Sequence, residues 1–105
     1  NIDGKVDFSV LFSGVTVEEG AEIRDSIIMP GSRICKDAVV QYAIVAENAV
    51  IGEGAVVGAR PETAENLKDW GVAVVASGVH VGPGCVIPAK AMMDTDVGKA
   101  GVPHA

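Results

Sequence analysis

Few side chains in this chain could carry chemistry. His80 lies in Val79-His80-Val81, a strand-like triple that turns its imidazole outward. An imidazole titrates near neutral pH and suits a general base toward a hydroxyl or amine. The plainer reading is an exposed strand residue. Seven cations, Arg24, Arg33, Lys36, Arg60, Lys68, Lys90 and Lys99, are candidates for phosphate oxygens, although solvated surface charge explains any one of them. Arg24, Arg33 and Lys36 adjoin apolar positions and should face outward. Lys90 follows Ile87-Pro88-Ala89 and holds most interest. Cys35 and Cys85 lack the C-x-x-C spacing of a zinc site. Both stand where a small residue is expected, so they read as structural thiols of a reducing, cytoplasmic compartment. His80 and His104 are the only histidines, too few for a zinc held by three. Gly82-Pro83-Gly84 has no basic residue or helix pattern behind it and is no phosphate loop. Nucleotidyl transfer needs cations and metal arranged around a triphosphate, so no catalytic residue for it and no metal ligand is assigned.

The elements that would hold these residues follow from a repeat. Val6, Ile23, Val40 and Val57 are seventeen residues apart, as are Phe12, Met29 and Ala46, and Val17, Ile34 and Ile51. Ala21, Ala38 and Ala55 repeat likewise, and Gly14, Gly31, Asn48 and Gly20, Asp37, Gly54 mark two recurring corners. One large aliphatic every five or six residues is too sparse for an amphipathic helix. It fits short extended segments separated by turns, three to a coil, with each aliphatic stacked on its copy in the next coil. Read in this way, Phe12, Met29 and Ala46 point inward with Val6 and Val17, spaced six, five and six along each unit, and so do Val10, Ile27 and Ile44 near a corner. Gly, Asn and Asp supply turn conformations that other residues resist. The periodicity predicts an all-β parallel solenoid and leaves its hand open.

Composition agrees. The chain has 105 residues, 49% hydrophobic but only 4% aromatic, with thirteen glycines: a narrow bore filled by Val and Ile, with many corners. One domain is expected. Coils are predicted over 6–58 and 72–93, a corner insertion over 59–71 and a tail over 94–105. No inward pattern is legible before Val6. Pro61 and Gly71 suit the ends of a short helix in the insertion, with Trp70 available for a contact. A net charge of −6 disfavours nucleic acid and anionic membranes as partners. No apolar run approaches the roughly 20 residues needed to span a bilayer. The start, Asn1-Ile2-Asp3-Gly4, lacks an initiator Met and reads as the end of a longer polypeptide.

The stretch SVLFSGVTVEEGAEIRDSIIMPGSRICKDAVVQYAIVAENAVIGEGAVVG resembles the C-terminal domain of bacterial glucose-1-phosphate adenylyltransferase, or ADP-glucose pyrophosphorylase. Its most specific parts are Asp25-Ser26-Ile27-Ile28-Met29-Pro30-Gly31 and Asn48-Ala49-Val50-Ile51-Gly52. The likeness covers Val6 to Gly58 and continues in phase over Val75 to Met93. It implies a left-handed parallel β-helix of about five coils. It also implies a parent enzyme of glycogen biosynthesis that uses ATP, Mg²⁺ and glucose 1-phosphate. The catalytic residues of that family lie in an N-terminal domain, so this chain by itself should be non-catalytic and hold no cofactor. Its implied partners are that catalytic domain, other subunits of a homo- or hetero-oligomer (a tetramer in the parent) and phosphorylated metabolite effectors. Lys90, Arg33 and Arg24 are the candidate effector-binding residues.

The hexapeptide pattern is shared with other sugar-nucleotide transferases and with acyltransferases. In the acyltransferases a histidine between subunits serves as base and acyl-CoA as donor. His80 is the candidate for that role. A purely structural solenoid is the third reading.

Overall fold

The structure, a computed structural model, describes residues 2–61 and 71–96. The described residues wind through fourteen short strands. The first coil is β1 (Lys5–Asp7), β2 (Val10–Leu11) and β3 (Thr16–Val17). The second is β4 (Glu22–Arg24), β5 (Ile27–Ile28) and β6 (Arg33–Ile34), and the third is β7 (Val39–Gln41), β8 (Ala43–Val45) and β9 (Val50–Ile51). The fourth is β10 (Val56–Val57), β11 (Ala73–Val75) and β12 (His80–Val81), and the fifth ends at β13 (Val86–Ile87) and β14 (Met92–Met93). Every third strand stacks in parallel on its predecessor. The three walls are β1-β4-β7-β10-β13, β2-β5-β8-β11-β14 and β3-β6-β9-β12. This is a left-handed parallel β-helix of about five coils: the periodicity predicts the parallel solenoid, and the family resemblance implies its hand.

The register follows the repeat. Val6 pairs with Ile23, Ile23 with Val40 and Val40 with Val57, and on the third wall Val17 pairs with Ile34 and Ile34 with Ile51. From Val17 onward these residues are buried, and they stack into an axial core with Ala21, Ala38, Ala55 and Cys85 in the narrow corner. Each fully buried Val or Ile contributes about 1.5–3 kcal/mol. The insertion does not disturb the winding, because Val75 pairs with Val45 across it. Residues 62–70, including Trp70 and the body of the expected helix, lie outside the described residues, as do Lys68, Lys99 and His104.

Two expectations are corrected. On the second wall the inward column is Leu11, Ile28, Val45, Val75 and Met93, whereas Phe12, Met29, Ala46, Val10, Ile27 and Ile44 lie on the outer face. The short step of five residues therefore separates the first and second walls. A slip of one residue exchanges the faces of a strand. The cause is the corner before the second wall, where the chain turns at Phe8, Asp25 and Tyr42, with φ of 46°, 49° and 48°. Residues other than Gly rarely adopt this conformation, yet no glycine stands at these positions to mark the turn in the sequence. The other two corners are as expected: Gly14, Gly31 and Asn48 have φ of 74°, 76° and 56°, and Gly20, Asp37 and Gly54 have 80°, 60° and 71°. The second correction is at the start. The winding is already in place at Ile2, which bridges to Val17, and the N–H of Asp3 donates to the carbonyl of Val17 at 2.8 Å.

Candidate functional site

On the third wall, Thr16, Arg33, Val50 and His80 form one outward row in parallel register. Arg33 reaches back one coil. Its Nε and Nη2 donate to the same oxygen, Oε2 of Glu18, at 2.9 and 2.5 Å. The other oxygen of Glu18 accepts the backbone N–H of Lys36 at 3.0 Å. The Arg33 guanidinium, and after it the Lys36 N–H, hold the Glu18 carboxyl below its usual range. Beside them, burial and then the Glu18 carboxylate push the Cys35 thiol up. Cys85 is fully buried, and neither cysteine is in a disulfide. His80 is exposed at the outer face of β12, and its backbone N–H donates to Oδ1 of Asp96 at 2.8 Å. The strand thus orients His80 outward, and Asp96 secures the backbone beneath it.

A second cluster lies at the corner between the first and second walls. Arg24 is on the outer face of β4, where Nη2 donates to Oε1 of Glu22 at 2.5 Å. Lys5, Asp7, Phe8, Arg24, Asp25 and Arg60 line a shallow cavity of about 340 Å³ there. Phe8 is 93% exposed at its rim because its positive-φ turn throws the ring clear of the coil. The cavity presents three cations against two carboxylates and an aromatic face. Among the described residues, no three His, Cys, Asp or Glu converge as a metal site.

Lys90 is at the same corner in the fifth coil. It takes the turn itself with φ of 68°, and its N–H donates to the carbonyl of Gly71 at 2.9 Å. The three effector candidates therefore do not meet. Arg24 faces outward on the first wall, Arg33 on the third, and Lys90 occupies a corner three coils from Arg24. The sequence reading did not single out Lys5 or Phe8. Counting the seventeen-residue column Phe8, Asp25, Tyr42 would have located this corner.

The residues match a known family model, described as GlmU-like, C-terminal hexapeptide, over residues 2–81. The chain belongs to the GlmU-like C-terminal hexapeptide family. Glucose-1-phosphate adenylyltransferases from Bacillus thuringiensis (strain Al Hakam) and Bacillus anthracis are each 57% identical to this hexapeptide chain over 44 residues. That stretch is 42% of this chain and 12% of either relative, so the likeness covers a small part of the whole enzymes. The crystal structure of PerB from Caulobacter crescentus, in complex with CoA and GDP-perosamine, has the same fold with a TM-score of 0.52 and 20% identity, over 93% of this chain and 53% of PerB. At that identity the fold alone is shared. For a GlmU-like hexapeptide chain, the walls and corners set the spacing of Arg24, Arg33, Lys90 and His80. No helix among the described residues is long and apolar enough to cross a membrane.

Proposed function

We propose that this chain is the C-terminal β-helix domain of a glucose-1-phosphate adenylyltransferase, with an assembly and regulatory role and no catalysis of its own. The 57% identity over 44 residues to adenylyltransferases carries the reading. Among the described residues, Arg24 is paired with Glu22 and Arg33 with Glu18, which supports a rod without catalysis of its own. In the parent, Mg²⁺, ATP and glucose 1-phosphate belong to a catalytic domain that would pack beside this rod. A phosphorylated effector would meet the rod at the Arg24 corner, where Lys5 and Arg60 also line the cavity. The test is ADP-glucose formation from ATP and glucose 1-phosphate with Mg²⁺. The full-length polypeptide of the source should make it and the 105-residue chain should not. A source polypeptide without the activity sinks the proposal.

A second reading rests on His80, the one described imidazole, exposed on an outer strand of a hexapeptide fold. An acyltransferase would use it as base toward an amine or hydroxyl, with acyl-CoA as donor. Retention of acyl-CoA by the chain, with transfer lost in His80→Ala, would favour it over the adenylyltransferase reading.

A further inference from the structure

The three walls do not end together. The first and second have five strands and the third has four, so among the described residues β12 is the last strand of its wall. A terminal strand presents backbone donors that the next coil would otherwise engage. Lower in the rod these donors follow one rule. The outward residue of each third-wall strand donates its N–H to a carbonyl of the next coil: Thr16 to Ser32 at 3.0 Å, Arg33 to Ala49 at 2.9 Å and Val50 to Val79 at 3.0 Å. His80 continues that row, and its N–H donates instead to a side chain, Oδ1 of Asp96, at 2.8 Å. The donor is the same and so is the length of the bond; only the acceptor has changed.

The sequence accounts for the change. Val75 and Met93, paired on the second wall, are eighteen residues apart. The same step from Gly78 reaches Asp96, in the corner column of Gly31, Asn48 and Gly78, whose φ are 76°, 56° and 71°. The column of acceptors, Ser32, Ala49 and Val79, would continue at Val97, so Asp96 precedes the expected carbonyl by one residue. From Val81 the step reaches Lys99, in the column where Val17, Ile34, Ile51 and Val81 are buried aliphatics. An ammonium does not suit a bore lined by Val and Ile. The repeat therefore breaks in the coil to which His80 would have bonded.

We propose that the Asp96 carboxylate is a latch that closes the open edge of the third wall, standing in for the backbone carbonyl of a further coil. An ionised acceptor holds an N–H more strongly than a neutral carbonyl does. An extended segment adding to β12 would need the same donor and would bring its own carbonyl against a carboxylate. The latch therefore also disfavours strand addition at this end of the rod. The inference does not rest on the proposed activity, since a rod of any function must close its last coil.

The experiment is residue-resolved amide hydrogen exchange, followed by NMR at neutral pH. In the parent chain the His80 amide should exchange at least about tenfold more slowly than in an unstructured peptide. Asp96 is exposed, so Asp96→Ala leaves the core intact. That variant should speed the His80 amide by about tenfold and leave the Arg33 amide, bonded to Ala49 within the rod, at its parent rate. Asp96→Asn keeps a carbonyl oxygen and should keep most of the protection. Asp94→Ala removes the same charge two residues away and should change nothing. A parent His80 amide as fast as the peptide's overturns the proposal, as does an Asp96→Ala chain with an unchanged rate. So does a rise shared equally by Arg33, or an equal effect of Asp94→Ala, or an Asp96→Asn chain as unprotected as Asp96→Ala. If Asp96→Ala does not fold, the parent rate and that of Asp96→Asn decide.

Discussion

The hydroxyl oxygen of Ser32 accepts the N–H of Ala49, its copy in the next coil, at 3.2 Å, and the same hydroxyl donates to the carbonyl of Ala46 at 2.6 Å. Ser32 is fully buried, so bulk solvent does not reach the groups it braces. In Ser32→Ala, one N–H and one C=O lose their partner together. Leaving buried backbone groups unsatisfied costs about 1–3 kcal/mol, so denaturant melts of Ser32→Ala should show a loss of that size. Ser9→Ala makes the control. Its hydroxyl also braces the next coil, accepting the N–H of Ser26 at 3.2 Å, but it is in part-exposed surroundings where water can substitute. The Ser9 variant should lose clearly less. Equal losses would show that coil-to-coil bonding, and not burial, sets the cost.

Gly54 and Gly58 both hold positive φ, 71° and 80°, but their surroundings differ. A Cβ on Gly54 would enter open space, whereas one on Gly58 would collide with the carbonyl oxygen of Gln41. Gly54→Ala should cost only the backbone penalty, about 1–2 kcal/mol. Gly58→Ala adds a collision with backbone that cannot rotate away, and should cost about 3 kcal/mol or more. Comparing the two melting midpoints separates conformational strain from close approach. If the variants lose equally, the chain at Gly58 can shift without cost.

The Glu18–Arg33 pair gives a pH signature. The folded carboxyl titrates below its ordinary 4.5, because Arg33 and then the Lys36 N–H stabilise its ionised form. A lowered folded pKa contributes stability above the unfolded pKa, and that contribution is lost as pH falls through the folded pKa. Thermal melts should therefore show Glu18→Gln below the parent at neutral pH by a small margin, since exposed pairs contribute little. The gap should close as pH drops below about 4.5. It should also narrow with added salt at pH 7. A gap independent of both would place the role of Glu18 in packing alone.

How far the sequence revealed the structure can be traced along the repeat. Gly, Asn and Asp at Gly14, Gly31, Asn48 and at Gly20, Asp37, Gly54 made two corners legible, and with them the inward columns of the first and third walls, but not the faces of the second. At Phe8 and Tyr42 the positive φ is imposed by the coil and not favoured by the side chain, so the corner left no mark in composition. Both Ile27 and Ile28 are aliphatic, and nothing in their chemistry says which one faces the core. The outward placement of Arg33 and His80 was legible from alternation on two-residue strands. The partners of Arg24 and Arg33 were not. Glu22 lies on the same strand as Arg24, but the Glu18–Arg33 contact spans a full coil and becomes visible only once the register is fixed.

The two cysteines should differ in reactivity, for reasons set by neighbouring columns. Thiolate, not thiol, attacks a disulfide reagent. Cys35 is partly buried, and burial and the Glu18 carboxylate both raise its pKa above the ordinary 9.0. Arg33 opposes this, but its guanidinium is already engaged by Glu18, which offsets its field at the sulfur. Cys35 should therefore react with an aromatic disulfide reagent at pH 8 more slowly than an unstructured peptide thiol. Cys85, fully enclosed beside Ala55 in the bore, should not react until the rod unfolds. Absorbance traces should show one slow equivalent in the native chain and a second, rapid one on adding guanidinium, and Cys35→Ser should abolish the native phase. Glu18→Gln should speed the native phase, because it removes one of the charges that disfavour the thiolate and frees Arg33. If that variant reacts no faster than the parent, burial alone controls Cys35.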